Sequence, residues 1–214
     1  MSHPLFDLSG RVAMVSGAAN GMGRQMAIGF AESGADVVLV DINLPGAELT
    51  AGEIEPLGGR VLAIACDVSD TEQIRNLYTT IDSEFGRVDV VGNVAGEGNV
   101  GRPEDLPLDK VQEALQNLVV GRFASCQEAG RRMLEQGRGS IINFGSIGGW
   151  NSLGRGHAPY GMAMGAVIQM TRELSTEWAS RGVRVNAILP AQVWNDGLRK
   201  RVAEVPELEE TFKG

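Results

Sequence analysis

The sequence has few cysteines, no long apolar run and no excess of basic charge, and each shortage excludes a class of protein. Its two cysteines, Cys66 and Cys126, lie far apart and form no CxxC pair. Neither a zinc site nor a disulfide framework is therefore indicated, and we expect two buried, reduced thiols in a cytoplasmic protein. No apolar stretch approaches the roughly 20 residues of a membrane span. The N-terminus also lacks the basic-then-apolar pattern of a secretion signal.

Basic residues are outnumbered by acidic ones, 19 to 27, which gives a formal net charge of −8. Such a chain is poorly suited to bind a nucleic-acid backbone or an anionic membrane. Its 214 residues are 43% hydrophobic and 21% charged, the balance of a globular protein, and we expect one domain over residues 1–214.

Glycine, by contrast, is abundant, with 29 residues that cluster where apolar runs end. Glycine at such places permits tight turns and close approach of the backbone to a ligand. The runs themselves are short, rich in valine and isoleucine, and nearly continuous in apolar character. This is typical of strands buried on both faces of a parallel sheet. The predicted strands are residues 11–16, 36–42, 60–66, 88–94, 140–144 and 184–189.

Longer segments with helical spacing of apolar residues separate these strands, at residues 22–33, 69–85, 108–136 and 158–180. Alternation of strand and helix predicts an α/β fold with one doubly wound parallel sheet and helices on both faces. Right-handed crossovers then place a ligand crevice at the carboxyl edge of the sheet.

The first predicted strand ends in Ser16 and continues into a glycine-rich loop, GAANGMG, at residues 17–23. Its spacing, GxxxGxG, is a variant of the dinucleotide fingerprint GxGxxG and lacks the lysine of a P-loop. Gly17 permits the turn, Gly21 lets the backbone approach a diphosphate, and Gly23 lets the helix pack on the strand. Free amides at the helix start then meet the anion. A tight strand–helix turn without a ligand is the alternative.

Asp41 ends the second strand, 18 residues after Gly23, and favours the dinucleotide interpretation. A carboxylate there can accept hydrogen bonds from both ribose hydroxyls of adenosine and would repel a 2′-phosphate, which predicts NAD rather than NADP. Arg24, beside the loop, could weaken this preference. Asp67, after the third strand, either accepts from the adenine amino group or caps the next helix.

The segment Asn93-Val94-Ala95-Gly96 and then Asn117, Ser146 and Tyr160 follow the loop in one order. With them the chain resembles the short-chain dehydrogenase/reductase family from about residue 11 to residue 193. The resemblance implies a Rossmann fold, a nicotinamide cofactor, and hydride transfer to or from an alcohol or carbonyl carbon. It also implies a tyrosine as acid/base, a serine on the substrate oxygen, a lysine that lowers the pKa of the tyrosine, and an asparagine in a proton relay.

Carried over residue by residue, the resemblance assigns Tyr160 to proton transfer, Ser146 to the substrate oxygen and Asn117 to the relay. The one other tyrosine, Tyr78, lies in an ordinary helical stripe. Asn195 stands where the family has a threonine that often holds the cofactor's carboxamide, and its amide can make a similar hydrogen bond. The residues implied to bind NAD are Gly17, Asn20, Gly21, Met22, Gly23, Asp41, Ile42, Asp67, Val68, Asn93, Ala95, Gly96, Tyr160, Pro190 and Val193.

The largest departure from the family is Met164, which stands in place of the lysine of the YxxxK motif. An ordinary phenol has a pKa near 10, and a neighbouring ammonium would stabilise the phenolate. Its loss should raise the reaction barrier by several kcal/mol. The three lysines of the chain all lie far from Tyr160 in sequence: Lys110, Lys200 and Lys213. Arg155 or His157 is a candidate substitute. Met164 is either native, in a protein with little or altered turnover, or a changed residue.

The C-terminal part also departs from the family. Residues 191–214 resemble a substrate-covering segment that is cut short, and we expect the sequence to omit a tail. The predicted substrate pocket is lined by residues 96–98, by residues 147–153 with Trp150, and by residues 193–198 with Trp194. Two tryptophans and few charges indicate a partly apolar alcohol or ketone.

Two functions remain open from the sequence. The first is an NAD-dependent dehydrogenase that interconverts a secondary alcohol and a ketone. The second is a catalytically silent NAD-binding protein that acts by interaction or sensing. A serine hydrolase is excluded, because Ser146 lies in FGSIG without the first glycine of GxSxG. The resemblance further implies a homo-oligomer, a tetramer or dimer, built on the helices near residues 108–136 and 159–180.

Overall fold

The computed structural model describes residues 4–194, 199 and 202–204, and its centre is a six-stranded parallel sheet. The strands lie in the order β3-β2-β1-β4-β5-β6. Their bounds are β1 Val12–Ser16, β2 Asp36–Asp41, β3 Val61–Ala65, β4 Val90–Asn93, β5 Gly139–Phe144 and β6 Val183–Ile188. The predicted doubly wound α/β fold is confirmed, and each predicted strand end lies within two residues of the observed one.

Within residues 4–194, six α-helices pack around the sheet: α1 Gly21–Glu32, α2 Leu44–Ile54, α3 Thr71–Phe85, α4 Leu108–Leu115, α5 Gly121–Gln136 and α6 Ala158–Trp178. The sequence pattern does not predict α2, because two glycines and a proline weaken its helical character. Asn43 nevertheless caps it by accepting from the amide of Gly46. The predicted helix over residues 108–136 is divided by a π-helical turn at Gln116–Val120, which separates α4 from α5.

Successive residues of the central strands pack into different apolar cores. Met14 of β1 and Val40 of β2 belong to the core under α3 and α5. Val15 and Leu39, their neighbours in sequence, belong to the core under α1 and α2. The side chains alternate between the faces of the sheet, so both faces are buried, which is why the strands lack a polar side.

The strand order reverses between β1 and β4, which creates a crevice at the carboxyl edge of the sheet. Ser16 joins the two strand ends there. Its Oγ accepts from the amide of Val94 at 3.1 Å and from the amide of Ala95 at 3.2 Å. The loops that follow β1 and β4 are thus fixed to each other beside the crevice.

Of the predicted substrate-covering segment, the structure describes residues 191–194, 199 and 202–204. Asn195 and Leu198, which the sequence places near the substrate or cofactor, lie outside the described residues. None of the helices within the described ranges is long and apolar enough to cross a membrane.

Asp89 fixes the start of β1 to the residues that precede β4. Its Oδ2 accepts from the amide of Val12 at 3.0 Å and from Nε of Arg87 at 2.7 Å. Burial of the carboxyl opposes ionisation, but the hydrogen bonds from Arg87 and Val12 outweigh it and hold the pKa of Asp89 below its usual range. The carboxylate is therefore a charge that the folded state stabilises.

Asp89→Asn is expected to lower the free energy of unfolding at neutral pH by roughly 1–3 kcal/mol, since it weakens the buried hydrogen bonds of Arg87 and Val12. Because folding lowers the pKa of Asp89, its carboxylate contributes to the free energy of unfolding above a pH of about 4, and this contribution is lost as the pH falls further. Urea unfolding of the native protein and the Asp89→Asn variant, from neutral to acidic pH, measures how the difference between their free energies of unfolding changes with pH. The two stabilities should converge in acid; a constant difference at every pH would contradict the account.

Candidate active site

The loop between β1 and α1 depends on backbone conformations that glycine adopts readily. Gly17 has a φ of +75° and Gly21 a φ of +55°, both in the left-handed region. A Cβ atom built on Gly23 would lie 2.1 Å from the carbonyl oxygen of Gly17. Only glycine therefore lets α1 approach the end of β1 this closely, as the sequence predicts.

The first turn of α1 presents backbone amides at the carboxyl edge of the sheet. Asn20 precedes the helix in an extended conformation, and its side chain makes no capping hydrogen bond. The amide of Arg24 donates to the carbonyl of Asn20 at 3.1 Å. The amides of Gly21, Met22 and Gly23 therefore precede the helical hydrogen-bond ladder, and with the helix dipole they favour an anion.

The carboxylate of Asp41 is fixed beside this loop at the end of β2. One oxygen accepts from the amide of Ala19 at 3.0 Å and the other from the amide of Asn43 at 2.9 Å. Arg24 pairs with Glu53 of α2, and this hydrogen bond lowers the pKa of Glu53. Backbone amides thus set the position of the carboxylate that we expect to recognise a ribose.

Asp70, rather than Asp67, caps α3. Its Oδ1 accepts from the amide of Glu72 at 2.9 Å and from the amide of Gln73 at 3.2 Å. Asp67 instead accepts from the amide and the hydroxyl of Ser69, at 2.8 and 2.7 Å. The helix-cap alternative for Asp67 is wrong, and its contact with adenine stays a prediction.

Close glycine packing brings α6, and with it Tyr160, against the turn that follows β5. Ser146 begins this turn, and its Oγ accepts from the amide of Gly148 at 3.1 Å. A Cβ atom built on Gly149 would lie 2.5 Å from the backbone carbonyl carbon of Met164. The helix that carries the phenol and the turn that carries the serine therefore pack backbone against backbone at one edge of the sheet.

Beyond this geometry, the chain matches one family along nearly its whole length. The family model described as short chain dehydrogenase matches residues 11–205. The chain belongs to the short chain dehydrogenase family.

Several relatives within this family have named activities. D-threitol dehydrogenase of Mycolicibacterium smegmatis is 37% identical over 188 residues, which cover 88% of this chain and 72% of that enzyme. NAD-dependent glycerol dehydrogenase of Listeria innocua is 34% identical, with the same coverage. Among solved structures, 7α-hydroxysteroid dehydrogenase complexed with NADH and 7-oxo glycochenodeoxycholic acid has a TM-score of 0.90. It is 30% identical, over 96% of this chain and 79% of that one.

A cavity of about 700 Å³ brings together residues of this short chain dehydrogenase that lie far apart in sequence. Gly21 and Met22 line it from α1, and Pro190, Val193 and Trp194 line it from the segment after β6. Four of these five are predicted cofactor residues. The cavity adjoins the free amides of α1, so the residues present fit a nicotinamide dinucleotide.

Trp150 does not line this cavity. Its side chain is 66% exposed, and the guanidinium of Arg172 lies 5.4 Å from its ring centroid. A cation–π contact holds Trp150 against α6, and its place in one substrate pocket with Trp194 stays a prediction.

Four further predicted cofactor residues surround the crevice. Val68 and Ala95 line a small cavity near the ends of β1 and β4. Gly96, next to Ala95, has a φ of +138°. Ile42 follows β2 with a side chain that is 73% exposed. Contact of these residues with a cofactor stays a prediction.

The side chain of Asn93 is committed to a buried polar network. Its Nδ2 donates to Oδ1 of Asn143 at 3.0 Å, and its Oδ1 accepts from the hydroxyl of Ser125 at 2.8 Å. The network continues to the hydroxyl of Tyr78 and to Thr171. Asn93 therefore holds the ends of β4 and β5 in place, and any contribution of its side chain to a cofactor site is indirect.

The π-helical turn gives Asn117 and Leu118 different surroundings. Oδ1 of Asn117 is buried without a hydrogen-bond partner among the described residues, and the side chain faces a small cavity beside Arg122. Leu118 is buried with Met164 in an apolar cluster against which Tyr160 packs. The structure thus places Leu118, rather than Asn117, in the cluster at Tyr160, and the relay role of Asn117 stays a prediction.

The side chain of Met164, which we predict to stand at the lysine position of the family motif, is apolar and 2% exposed, so its surroundings are dry. Of the two candidate substitutes, His157 contacts the edge of the Tyr160 ring, with 6.3 Å between ring centroids. Its Nδ1 lies 2.9 Å from the carbonyl oxygen of Gly154. Arg155 is exposed on the preceding loop, with a φ of +57°.

One buried charge at the site is not predicted from the sequence. Arg122 of α5 is 5% exposed and lines the same small cavity as Asn117. The signal that could have found it is a single arginine in the otherwise apolar stretch NLVVGRFA. No group of three or more potential metal ligands occurs in the part of the chain that the structure describes.

Gly23→Ala is expected to lower the free energy of unfolding by about 1–3 kcal/mol, because its methyl group collides with the backbone of Gly17. Gly29→Ala is the matched control on the same helix, since nothing lies within 4 Å of its added Cβ. It should be neutral or stabilising by about 0.5–1 kcal/mol. Thermal unfolding measures the stability of the two variants. Equal changes in stability for Gly23→Ala and Gly29→Ala would contradict the close approach of α1 to β1.

Proposed function

We propose that this short chain dehydrogenase is an NAD(H)-dependent oxidoreductase that interconverts a secondary alcohol and a ketone. The observation that carries the proposal is the convergence, at one edge of the sheet, of the amides of α1 with the elements that bear Ser146 and Tyr160. One relative is named as NAD-dependent and another is described with NADH. Both names support a nicotinamide cofactor for this chain.

The position of Asp41 supports NAD over NADP. Two backbone amides hold its carboxylate beside the glycine loop, and a 2′-phosphate would meet this negative charge. The residues proposed to hold the dinucleotide begin with Gly17, Asn20, Gly21, Met22 and Gly23 in the loop. They continue through Asp41, Ile42, Asp67, Val68, Asn93, Ala95, Gly96, Tyr160, Pro190 and Val193.

In the proposed reaction, Tyr160 transfers the proton to or from the substrate oxygen. Because the amide of Gly148 donates to Oγ of Ser146, the serine hydroxyl directs its own hydrogen elsewhere, and we assign that hydrogen to the substrate oxygen. When bound, the cofactor supplies the acceptor or donor of the hydride. Asn117 is the proposed relay residue, through its buried and unpaired oxygen.

Names of relatives and the surroundings of Tyr160 bear on the substrate. D-threitol and glycerol, the substrates in two relatives' names, are small polyols. Tyr160 packs against the apolar cluster of Leu118, Ala163, Met164 and Val167. We propose a small alcohol or ketone that combines an apolar part with a hydroxyl group.

We also propose a homo-oligomer in the cytoplasm. Val120 and Phe123 at the junction of the π-helical turn and α5, and Met162 on α6, expose between 44% and 58% of their side chains. Apolar side chains on these two helices support a second copy of the chain as the partner.

Asp41→Asn tests the cofactor proposal. The native protein should bind NAD more tightly than NADP, and the variant should reduce that preference by roughly tenfold or more, because a like charge facing the 2′-phosphate is removed. The asparagine keeps an oxygen for one of the two backbone amides. Calorimetric titration with both dinucleotides measures the ratio, and equal affinities in the native protein would refute the NAD assignment.

Tyr160→Phe tests the chemistry. It should reduce turnover by roughly 10²–10⁴-fold, the range for removal of a general acid/base, whereas NAD should still bind, weakened at most by the loss of the one hydrogen bond that the phenol gives to the cofactor. Assays with polyols and partly apolar secondary alcohols, followed by NADH absorbance, provide the measurement. Met164→Lys, which restores the family's cation, should raise turnover. NAD binding without turnover in the native protein, unrescued by Met164→Lys, would instead support the catalytically silent alternative.

A further inference from the structure

The small cavity near the ends of β1 and β4 lies on the side of the sheet that α5 covers. Its volume is about 10 Å³, roughly the space that one water molecule needs. Most of its wall is apolar, and its polar side chains are those of Ser16, Asn93, Asn117, Arg122 and Ser125. The hydrogen bonds of these five side chains decide what the cavity can hold.

Three of the five side chains already bond to protein groups. Oγ of Ser16 accepts from two backbone amides, and the amide group of Asn93 bonds to Asn143 and to Ser125. Ser125 gives its one hydrogen to Asn93, so the neighbouring hydroxyl of Tyr78 donates to Ser125. The two side chains that remain belong to the π-helical turn and to the start of α5.

Of these two, Asn117 offers an acceptor and Arg122 offers donors. Oδ1 of Asn117 is buried and has no hydrogen-bond partner among the described residues. Arg122 donates through Nη1 to the carbonyl oxygen of Phe144 at 2.7 Å and through Nη2 to that of Ala95 at 2.9 Å. Each terminal nitrogen of a guanidinium carries two hydrogens, so each keeps a second hydrogen to donate.

The π-helical turn brings this acceptor and these donors together. The amide of Gly121 donates to the carbonyl of Gln116, five residues earlier, and a π-helix aligns residues five apart as an α-helix aligns residues four apart. Asn117 and Arg122 are five apart. Oδ1 of Asn117 lies 3.2 Å, and Nη2 of Arg122 3.7 Å, from the position that a Cβ atom on Gly96 would take. One molecule with hydrogen bonds of about 3 Å can therefore reach both side chains.

The chemistry of the pair selects the ligand. The guanidinium repels a cation, and the amide oxygen repels an anion. A water molecule can donate to the oxygen and accept from the guanidinium, and its size agrees with the volume of the cavity.

We propose that the π-helical turn builds a hydration site in which one buried water molecule donates to Oδ1 of Asn117 and accepts from Arg122. The water joins the turn to the guanidinium that binds the ends of β4 and β5. This inference goes beyond the proposed function, because the folded protein holds the water with or without a cofactor.

A high-resolution crystal structure of the native protein tests the site directly. It should show one water within about 3 Å of Oδ1 of Asn117 and of a guanidinium nitrogen of Arg122. A bromide soak distinguishes water from a halide ion, since only bromide gives an anomalous signal there. A cavity without density, an Oδ1 bonded to a protein group, or an anomalous peak between the two side chains would overturn the proposal.

Asn117→Leu tests the site in solution, because the sign of its effect differs between the two cases. With water in the cavity, the leucine removes the acceptor of that water, and the melting temperature should fall by about 2–10 °C. With Oδ1 buried and unpartnered, the same change removes an unsatisfied polar atom. A rise in melting temperature would therefore contradict the proposal.

Asn117→Asp is the matched control, because it has nearly the same shape and keeps an oxygen for the water. It also places a carboxylate near the guanidinium, so its melting temperature at neutral pH should be no lower than that of the native protein. Equal falls in the leucine and aspartate variants would contradict the proposal, since the aspartate retains the acceptor. Neither measurement involves turnover or NAD, so failure here is distinguishable from failure of the proposed function.

Discussion

The contact between the backbone of α1 and the turn after β1 determines where the rest of the site can be. At Gly23 a single methyl group would overlap the carbonyl of Gly17, so helix and strand meet without side chains between them. This contact holds the first amides of α1 at the carboxyl edge of the sheet, at the point where the strand order reverses. Gly21 and Met22, and the cavity that they line together with Pro190, take their positions from this contact.

The other half of the site uses the same kind of contact to place hydroxyl groups. The turn after Ser146 packs backbone to backbone on α6 at Gly149 and Met164, which brings Tyr160 to the crevice. Leu118 and Met164 make the surroundings of Tyr160 apolar.

The sequence predicts the sheet well because buried parallel strands are short, continuous apolar runs between glycines. It also predicts the glycine loop after β1 and the position of Asp41 at the end of β2, whereas Ser146 and Tyr160 are assigned by the family resemblance and their roles stay predictions. It does not predict α2, whose glycines and proline hide a helix that Asn43 caps. Nor does it predict which of Asn117 and Leu118 meets Tyr160, because the π-helical turn that decides this is not visible in apolar periodicity.

Burial of a charge is likewise invisible in the sequence, because the carbonyl partners of Arg122 come from strand ends far away in the chain. Prediction from a sequence pattern therefore succeeds where one local geometry requires one residue type. It fails where the surroundings of a side chain are assembled from several elements, as they are at Arg122 and Asp67.

The most direct test of the central claim is a crystal structure of the protein with bound NAD. The account predicts diphosphate oxygens within about 3 Å of backbone nitrogens in the first turn of α1, with the adenosine ribose on the carboxylate of Asp41. A dinucleotide bound elsewhere on the protein, or a diphosphate that touches none of the amides of Gly21, Met22 and Gly23, would contradict it.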